Sequence, residues 1–308
     1  MGLARAAIKL IAETVRDHKI NGRVLVIGKQ DVWGTEKEVV RWLRECGLAP
    51  ASCPAQISIK PDFRRLNFIQ DTSLFGLMGF REVVALDYSD YEGAEIICDL
   101  NQPLPDGLLA KTGRFDLIID SGCLEHIFNV PQVLKNYYRL AADDGVVIHV
   151  APSSNYVDHG FYMFSPTLFQ DYYSANRWRI LRHYFFQSYP DYNAWLKIYE
   201  YKPGALSAFA FSGGLNRAMC NIYIAAGKQP GATCDADVQQ GMFLRAWVTN
   251  ARNNDPGQVA IDKGGWAALR ERLKPHVPKT LLPILMTIEA KMKTIGGVRR
   301  YLEHYKDL

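Results

Sequence analysis

Arg114-Phe-Asp-Leu-Ile-Ile-Asp-Ser-Gly-Cys-Leu-Glu-His-Ile-Phe-Asn129 is the stretch whose reading decides the fold. Phe115-Asp-Leu-Ile-Ile119 has the length and apolar character of a buried strand, and Asp120-Ser-Gly122 turns it into polar residues ahead of a helix. In an open α/β sheet, ligands bind where strands end in this way. Working outward, Glu82-Val-Val-Ala-Leu-Asp87 and Ile96-Ile-Cys-Asp99 are two further apolar segments ending on a carboxylate. Downstream, Gly145-Val-Val-Ile-His-Val-Ala-Pro152 follows the acidic turn Asp143-Asp144. Three acid-tipped strands suit a nucleoside-sized ligand lying across their ends.

The flanking segments extend the same pattern. Apolar residues at Leu3, Ala7, Leu10, Ile11 and Val15 predict a helix over 3–18 that stops at Asn21-Gly22, and Arg23-Val-Leu-Val-Ile-Gly28 reads as the first strand. Thr35 and Glu38 form a capping box for a helix reaching Cys46. Residues 48–70 read as irregular, with a short helix near 71–79. After the strands at 83–87, 95–98 and 115–120 come a helix at about 130–141 and a strand at 145–150. Residues 179–189 and 217–227 read as longer strands forming an antiparallel edge hairpin, with an aromatic-rich segment at Tyr189, Tyr192, Trp195, Tyr199 and Tyr201 between them. Strands alternating with helices imply a mostly parallel sheet covered on both faces.

Composition narrows the function class. The chain has 308 residues, 48% of them hydrophobic, enough for one substantial core. A net charge of +4, without a basic and aromatic face, argues against nucleic acid. The six cysteines include no C-x-x-C and no zinc spacing, which fits free thiols in a reducing, cytoplasmic setting. Lys9 and Glu13 interrupt the apolar N-terminal stretch, and no apolar run is long enough to span a bilayer. Breaks at Gln229-Pro-Gly and Asn253-Asn-Asp-Pro-Gly set off a tail in which Lys and Arg outnumber Asp and Glu. Within it, residues 278–295 space Leu281, Leu282, Leu285, Ile288 and Met292 as an amphipathic basic helix. Such a helix packs on its own domain or meets a protein partner or the inner membrane face peripherally.

The acid-tipped strands at Asp87, Asp99 and Asp120, with Glu125-His126 after the fourth strand, resemble a class I S-adenosylmethionine-dependent methyltransferase. The His159-Gly-Phe-Tyr-Met-Phe-Ser-Pro166 segment is similar to one in a bacterial subgroup of methyltransferase type 11-like proteins. The resemblance covers about residues 83–178. It implies a Rossmann-like, mostly parallel seven-stranded sheet with helices on both faces and an antiparallel edge hairpin. The expected division is a methyltransferase-like domain over 1–229, with an insertion at 35–80 and a substrate or lid region at 151–215, followed by a helical basic extension over 230–308.

The resemblance also assigns residues. Gly28-Lys29-Gln30 would face the methionine part of the cofactor, although Gln30 and Val32 stand where glycines are usual. Asp87, with Tyr88, would hold the ribose hydroxyls, or Asp87 would instead cap the turn at Ser89-Asp90. Asp99 and Leu100 would contact adenine, or Asp99 would only form its turn. Asp120, Ser121 and Gly122 would lie beneath the methionine amino group.

Methyl transfer is an in-line displacement that depends chiefly on alignment, and a hydroxyl acceptor gains from a base near neutrality. His159 is the first choice for that base, with His126 as the second. The competing readings are that His159 ties the Gly160 turn and His126 bonds backbone at a helix start. Asp158 is expected to orient His159 or touch substrate, and Glu125, Tyr156 and Tyr162 to meet the acceptor. The expected cofactor is S-adenosylmethionine, leaving as S-adenosylhomocysteine, with no metal, because Asp120 has no Asp-Asn partner downstream. The leading expectation is O-methylation of a small-molecule or sugar-containing metabolite, and the alternative is an inactive methyltransferase-like binding or scaffold protein. Oligomeric state is not legible.

Overall fold

The computed structural model describes residues 2–188, 196–209, 215 and 218–244, and in the tail 281, 284, 287–288, 291–292 and 295–308. Of the expected aromatic segment, Tyr189, Tyr192 and Trp195 lie outside the described residues, as do the break at Asn253 and much of 278–295.

In chain order the elements are β1 (Gly2–Leu3), α1 (Arg5–His18), β2 (Arg23–Ile27), β3 (Asp31–Thr35), α2 (Glu36–Glu45), α3 (Pro61–Arg65), β4 (Phe68–Gln70) and α4 (Asp71–Leu77). There follow β5 (Glu82–Asp87), β6 (Ile96–Ile97), α5 (Leu108–Thr112), β7 (Phe115–Ser121), α6 (Val130–Leu140) and β8 (Ala141–Ser154). The last are α7 (Pro166–Ala175), β9 (Arg179–Ser188), β10 (Lys197–Glu200), β11 (Met219–Gly227) and β12 (His304–Asp307).

The central sheet has nine strands in the order β12-β10-β9-β11-β8-β7-β2-β5-β6. Seven of them correspond to the expected sheet, parallel from β6 to β8 and antiparallel at β11 and β9. Two more extend the β9 edge: β10 pairs with β9 and β12 pairs with β10, both antiparallel. The tail therefore does not stay an all-helical appendage, because its last residues return as a strand of the main sheet. Their alternation is short and weak, which is why β12 escapes a periodicity reading.

Both faces of the parallel strands are buried, so their sequences are nearly continuous apolar runs. Val24 and Val26 of β2, with Leu117 and Ile119 of β7, pack under α1, α2 and α4. Leu25, Ile27, Ile118 and Val147 face the other way, toward α6 and α7, where Tyr137, Phe169 and Tyr173 are fully enclosed. The Thr35 and Glu38 capping box forms as expected at the start of α2.

The 35–80 segment is more ordered than its prolines suggest. It contributes α2, α3, β4 and α4, and β4 joins β1 and β3 in a second, three-stranded sheet. Trp33 on β3 packs edge-on against Phe63, with ring centroids 4.9 Å apart, and near Phe68. Among the described residues, no helix is long and apolar enough to cross a membrane.

Candidate functional site

Connections leave β2 toward β5 on one side of the sheet, whereas β7 lies on its other side, so the crevice at the ends of β2 and β7 is a topological switch point. Gly28 ends β2 with a positive φ of 66°, a conformation glycine adopts without steric cost, and its N–H donates to the Leu86 carbonyl at 2.8 Å. The chain then enters β3 rather than a helix, which begins only at Glu36. A carboxylate from the insertion holds this loop. Buried Asp71 accepts from the Gln30 N–H at 3.0 Å and pairs with the Lys29 ammonium at 3.3 Å. Lys60 binds Asp31 at 2.9 Å and Glu92 at 2.7 Å, tying the insertion to the loops after both β2 and β5.

Asp87 at the end of β5 is half-buried; its carboxylate accepts from the Tyr88 N–H at 2.6 Å and, at 3.4 Å, from the Lys29 N–H. Gly28, Lys29, Gln30, Asp87 and Tyr88 therefore sit together. Gln30 is buried, its amide nitrogen donating to the Ile27 carbonyl at 2.9 Å while its Oε1 has no partner. Asp99 behaves as its turn-forming reading requires, one oxygen accepting from both the N–H and the Nδ2 of Asn101 at 2.9 Å. Leu100 is buried, and its carbonyl takes a bond from Asn136 at 3.1 Å.

Asp120, expected beneath the methionine amino group, is bonded within the protein. It is 2% exposed, and all its described bonds run into the protein. One oxygen accepts from the N–H groups of Cys123 and Leu124 at 3.2 Å, and the other meets the Tyr137 hydroxyl at 3.2 Å and His149 Nδ1 at 3.0 Å. His149 Nε2 in turn lies 2.7 Å from the Tyr173 hydroxyl. Burial and the Asp120 charge push the Tyr137 phenol well above its ordinary pKa, and burial does the same for Tyr173. Asp120 and its partner His149 thus tie β7, β8, α6 and α7 together. His149 was missed in the sequence because it reads as one residue of an apolar strand; its pairing opposite Asp120 on the adjacent strand is a matter of register. Ser121 is also buried, and Gly122 takes a φ of 78°.

Beyond that turn, Glu125 is 1% exposed and its Oε2 has no partner. Burial first, and then the nearby Asp120 charge, raises its pKa to about 8. The His159-Gly160-Phe161 segment docks on the same residue: the Phe161 and Tyr162 N–H groups donate to the Glu125 carbonyl at 2.8 and 3.3 Å. Gly160 is required there, since a Cβ would lie 2.9 Å from that carbonyl oxygen. This docking brings His159 Nε2 to 3.6 Å from Glu125 Oε1 and the His159 ring to 5.1 Å from that of His126. Desolvation and then His159 lower the His126 pKa.

The two histidines chosen from sequence therefore meet, and the carboxylate that His159 pairs with is Glu125, not the adjacent Asp158. Asp158 is exposed with a φ of 62°. Tyr156 and Tyr162 line the same region but commit their hydroxyls to Asn221 Oδ1, at 2.6 Å, and the Phe128 carbonyl, at 2.7 Å. Exposed Phe128 and Phe161 contact edge-on at 5.8 Å and form an apolar rim.

Residues 66–202 match a family model described as a methyltransferase domain. A search of curated proteins finds no match. Among solved structures, the chain is similar to 1,6-didemethyltoxoflavin-N1-methyltransferase of Burkholderia thailandensis, at 13% identity over 72% of this chain and 79% of that one, with a TM-score of 0.35. It is similar also to the N-methyltransferase NodS of Bradyrhizobium japonicum, at 8% identity, 73% and 86% coverage and a TM-score of 0.37. A methyltransferase from Archaeoglobus fulgidus has 15% identity, 72% and 94% coverage and a TM-score of 0.37. Likenesses of this grade carry no argument about chemistry. The match to a methyltransferase domain at residues 66–202 takes in Asp87, Asp99, Asp120, Glu125, His126 and His159.

Proposed function

We propose that this protein transfers a methyl group to a hydroxyl of a small-molecule acceptor. The observation that carries this reading is the meeting of Glu125, His126 and His159 at the ends of β7 and β8, next to the strand that leads into Gly28. A buried acid beside two accessible imidazoles is a place where an imidazole can take up an acceptor proton. His159, with its side chain 45% exposed, is the residue best situated to receive it. Phe128 and Phe161 offer an apolar wall to the acceptor, which favours a ring or an aliphatic body beside the reacting hydroxyl.

The residues at β2 and β5 fit the cofactor. When bound, S-adenosylmethionine supplies an electrophilic methyl group on a sulfonium. Asp87 would accept from both ribose hydroxyls, a geometry suited to one carboxylate and a vicinal diol. The buried, unpartnered Gln30 Oε1 is an acceptor in want of a donor, and a methionine ammonium would provide one. With the Asp120 carboxylate bonded within the protein, Gln30 would meet the ammonium that the resemblance implies for Asp120. Asp71 and Lys60 hold the loop in shape without the missing glycines. The expected O-methylation rests on the histidine cluster, and the small-molecule acceptor on that cluster with the Phe128 and Phe161 wall.

One observation favours the alternative of a binding or scaffold protein: the loop after Gly28 runs into β3 and is bound by the insertion, where a helix N-terminus would otherwise help hold the cofactor. Calorimetric titration of S-adenosylhomocysteine decides between the two. Binding by the intact chain that is lost in Asp87→Ala supports methyl transfer; no binding by folded protein overturns it.

A further inference from the structure

We propose that Glu125, His126 and His159 form a binding site for a first-row divalent transition-metal ion. The inference rests on reading this cluster as the place where the acceptor is activated, and it changes the means of activation from an imidazole base to a metal.

The ligand atoms offered by the three residues all lie within 4.8 Å of one another, with Glu125 Oε1 and His159 Nε2 at 3.6 Å. An ion with bonds of about 2.0–2.1 Å holds neighbouring ligands roughly 3.0–3.5 Å apart, so only a modest closing of the rings is needed. The rings can make that movement, because both histidines are exposed while Glu125 is anchored. Its position is held at the main chain, where its carbonyl accepts from Phe161 and Tyr162.

A separate observation concerns the same carboxylate. Glu125 is almost wholly buried, yet Oε2 lacks a hydrogen-bond partner. Leaving a buried carboxyl oxygen unsatisfied is costly, and a cation held by both Glu125 oxygens would remove that cost. The contrast with Asp120 is informative, because that acid is satisfied entirely by protein groups and has nothing left to offer an ion.

The donor set selects the metal. Two imidazoles with one carboxylate suit manganese, iron, cobalt or zinc, whereas magnesium and calcium prefer oxygen ligands. Three protein ligands leave at least one position open, as a site that acts on substrate requires. An acceptor hydroxyl bound there loses its proton more readily, because a metal lowers the pKa of an oxygen it holds. His159 is then a ligand, and the proton passes to solvent. An acceptor with two adjacent oxygens would occupy two open positions, which points to a vicinal diol or catechol.

The test uses the full chain freed of metal by chelation. Co2+ is titrated with its visible absorption as the readout, and S-adenosylhomocysteine is titrated separately into the metal-free protein. One Co2+ per chain is expected, with His159→Ala and His126→Ala each weakening it by at least about tenfold. Glu125→Gln is expected to do the same while far-UV circular dichroism stays unchanged, and excess Mg2+ is expected not to displace the ion. Failure to bind Co2+, or binding that neither histidine substitution alters, overturns the metal site. The second titration separates this result from the methyl-transfer reading: S-adenosylhomocysteine bound without Co2+ removes the metal alone. Co2+ bound at the cluster without S-adenosylhomocysteine supports the metal and removes the cofactor reading.

Discussion

Two acid-and-histidine clusters, whose acids Asp120 and Glu125 are five residues apart in the chain, differ in what surrounds them. Asp120 and His149 are enclosed between strands and helices, and the described partners of both are other protein groups. Glu125, His126 and His159 combine one buried acid, with an oxygen unpaired, and two exposed rings. Residue type alone does not separate a structural cluster from a reactive one. What separates them is whether the protein itself satisfies every polar atom.

The largest expected effect tests the closed cluster. Asp120→Ala removes the acceptor for two backbone N–H groups, a phenol and an imidazole, and is expected to cost about 3–5 kcal/mol in urea unfolding. A loss below about 1 kcal/mol would mean that the network is slack and the contrast unfounded.

Asp87→Ala is expected to weaken S-adenosylhomocysteine binding by about ten- to a hundredfold, about 1.4–2.8 kcal/mol, read by calorimetry. Unchanged affinity would take Asp87 out of the ribose role.

His183 sharpens the comparison, because it is a buried histidine with no acid beside it. Its Nδ1 lies 3.1 Å from Gln170 Oε1, its Nε2 is unpartnered, and burial drops its pKa to about 3 from 6.5. Because the folded value lies below the unfolded one, the contribution is present above pH 6.5 and is lost as pH falls toward 3. Between pH 6.5 and 5.5 this amounts to about 1 kcal/mol. The pH slope of unfolding stability should flatten in His183→Gln, and an unchanged slope would show that this ring is not kept neutral.

The smallest expected effect on stability is at the open cluster. Glu125→Gln replaces a poorly satisfied buried acid with a neutral isostere and should change stability by less than about 1 kcal/mol, while abolishing methyl transfer. If it destabilises as much as Asp120→Ala, Glu125 is structural too and the contrast disappears.

The parallel strands were legible because each is an apolar run of strand length bounded by turn residues, and the α2 cap because Thr35 and Glu38 carry the full local signal. Small elements were not. Phe68–Gln70 and Asp31–Thr35 are too short to show a period, and they form strands only because β3 pairs with β1 and β4 of the insertion pairs with β3. Asp71 looked like the first residue of a short helix, and nothing local said that it would reach Gln30 and Lys29. His159 and His126 were found as individual residues. Their meeting depends on Gly160 lying against the Glu125 carbonyl.

The amino-acid sequence by itself determined which segments become buried strands, which acids stand at their ends, and hence the edge of the sheet where chemistry belongs. Those are local properties of apolar runs and turn residues. Only the tertiary structure decided that Asp120 turns inward, that Glu125 faces two histidines, and that the tail returns as β12. Each depends on contacts between residues far apart in the chain, and whether a polar atom is satisfied is a property of the packed environment, not of the residue.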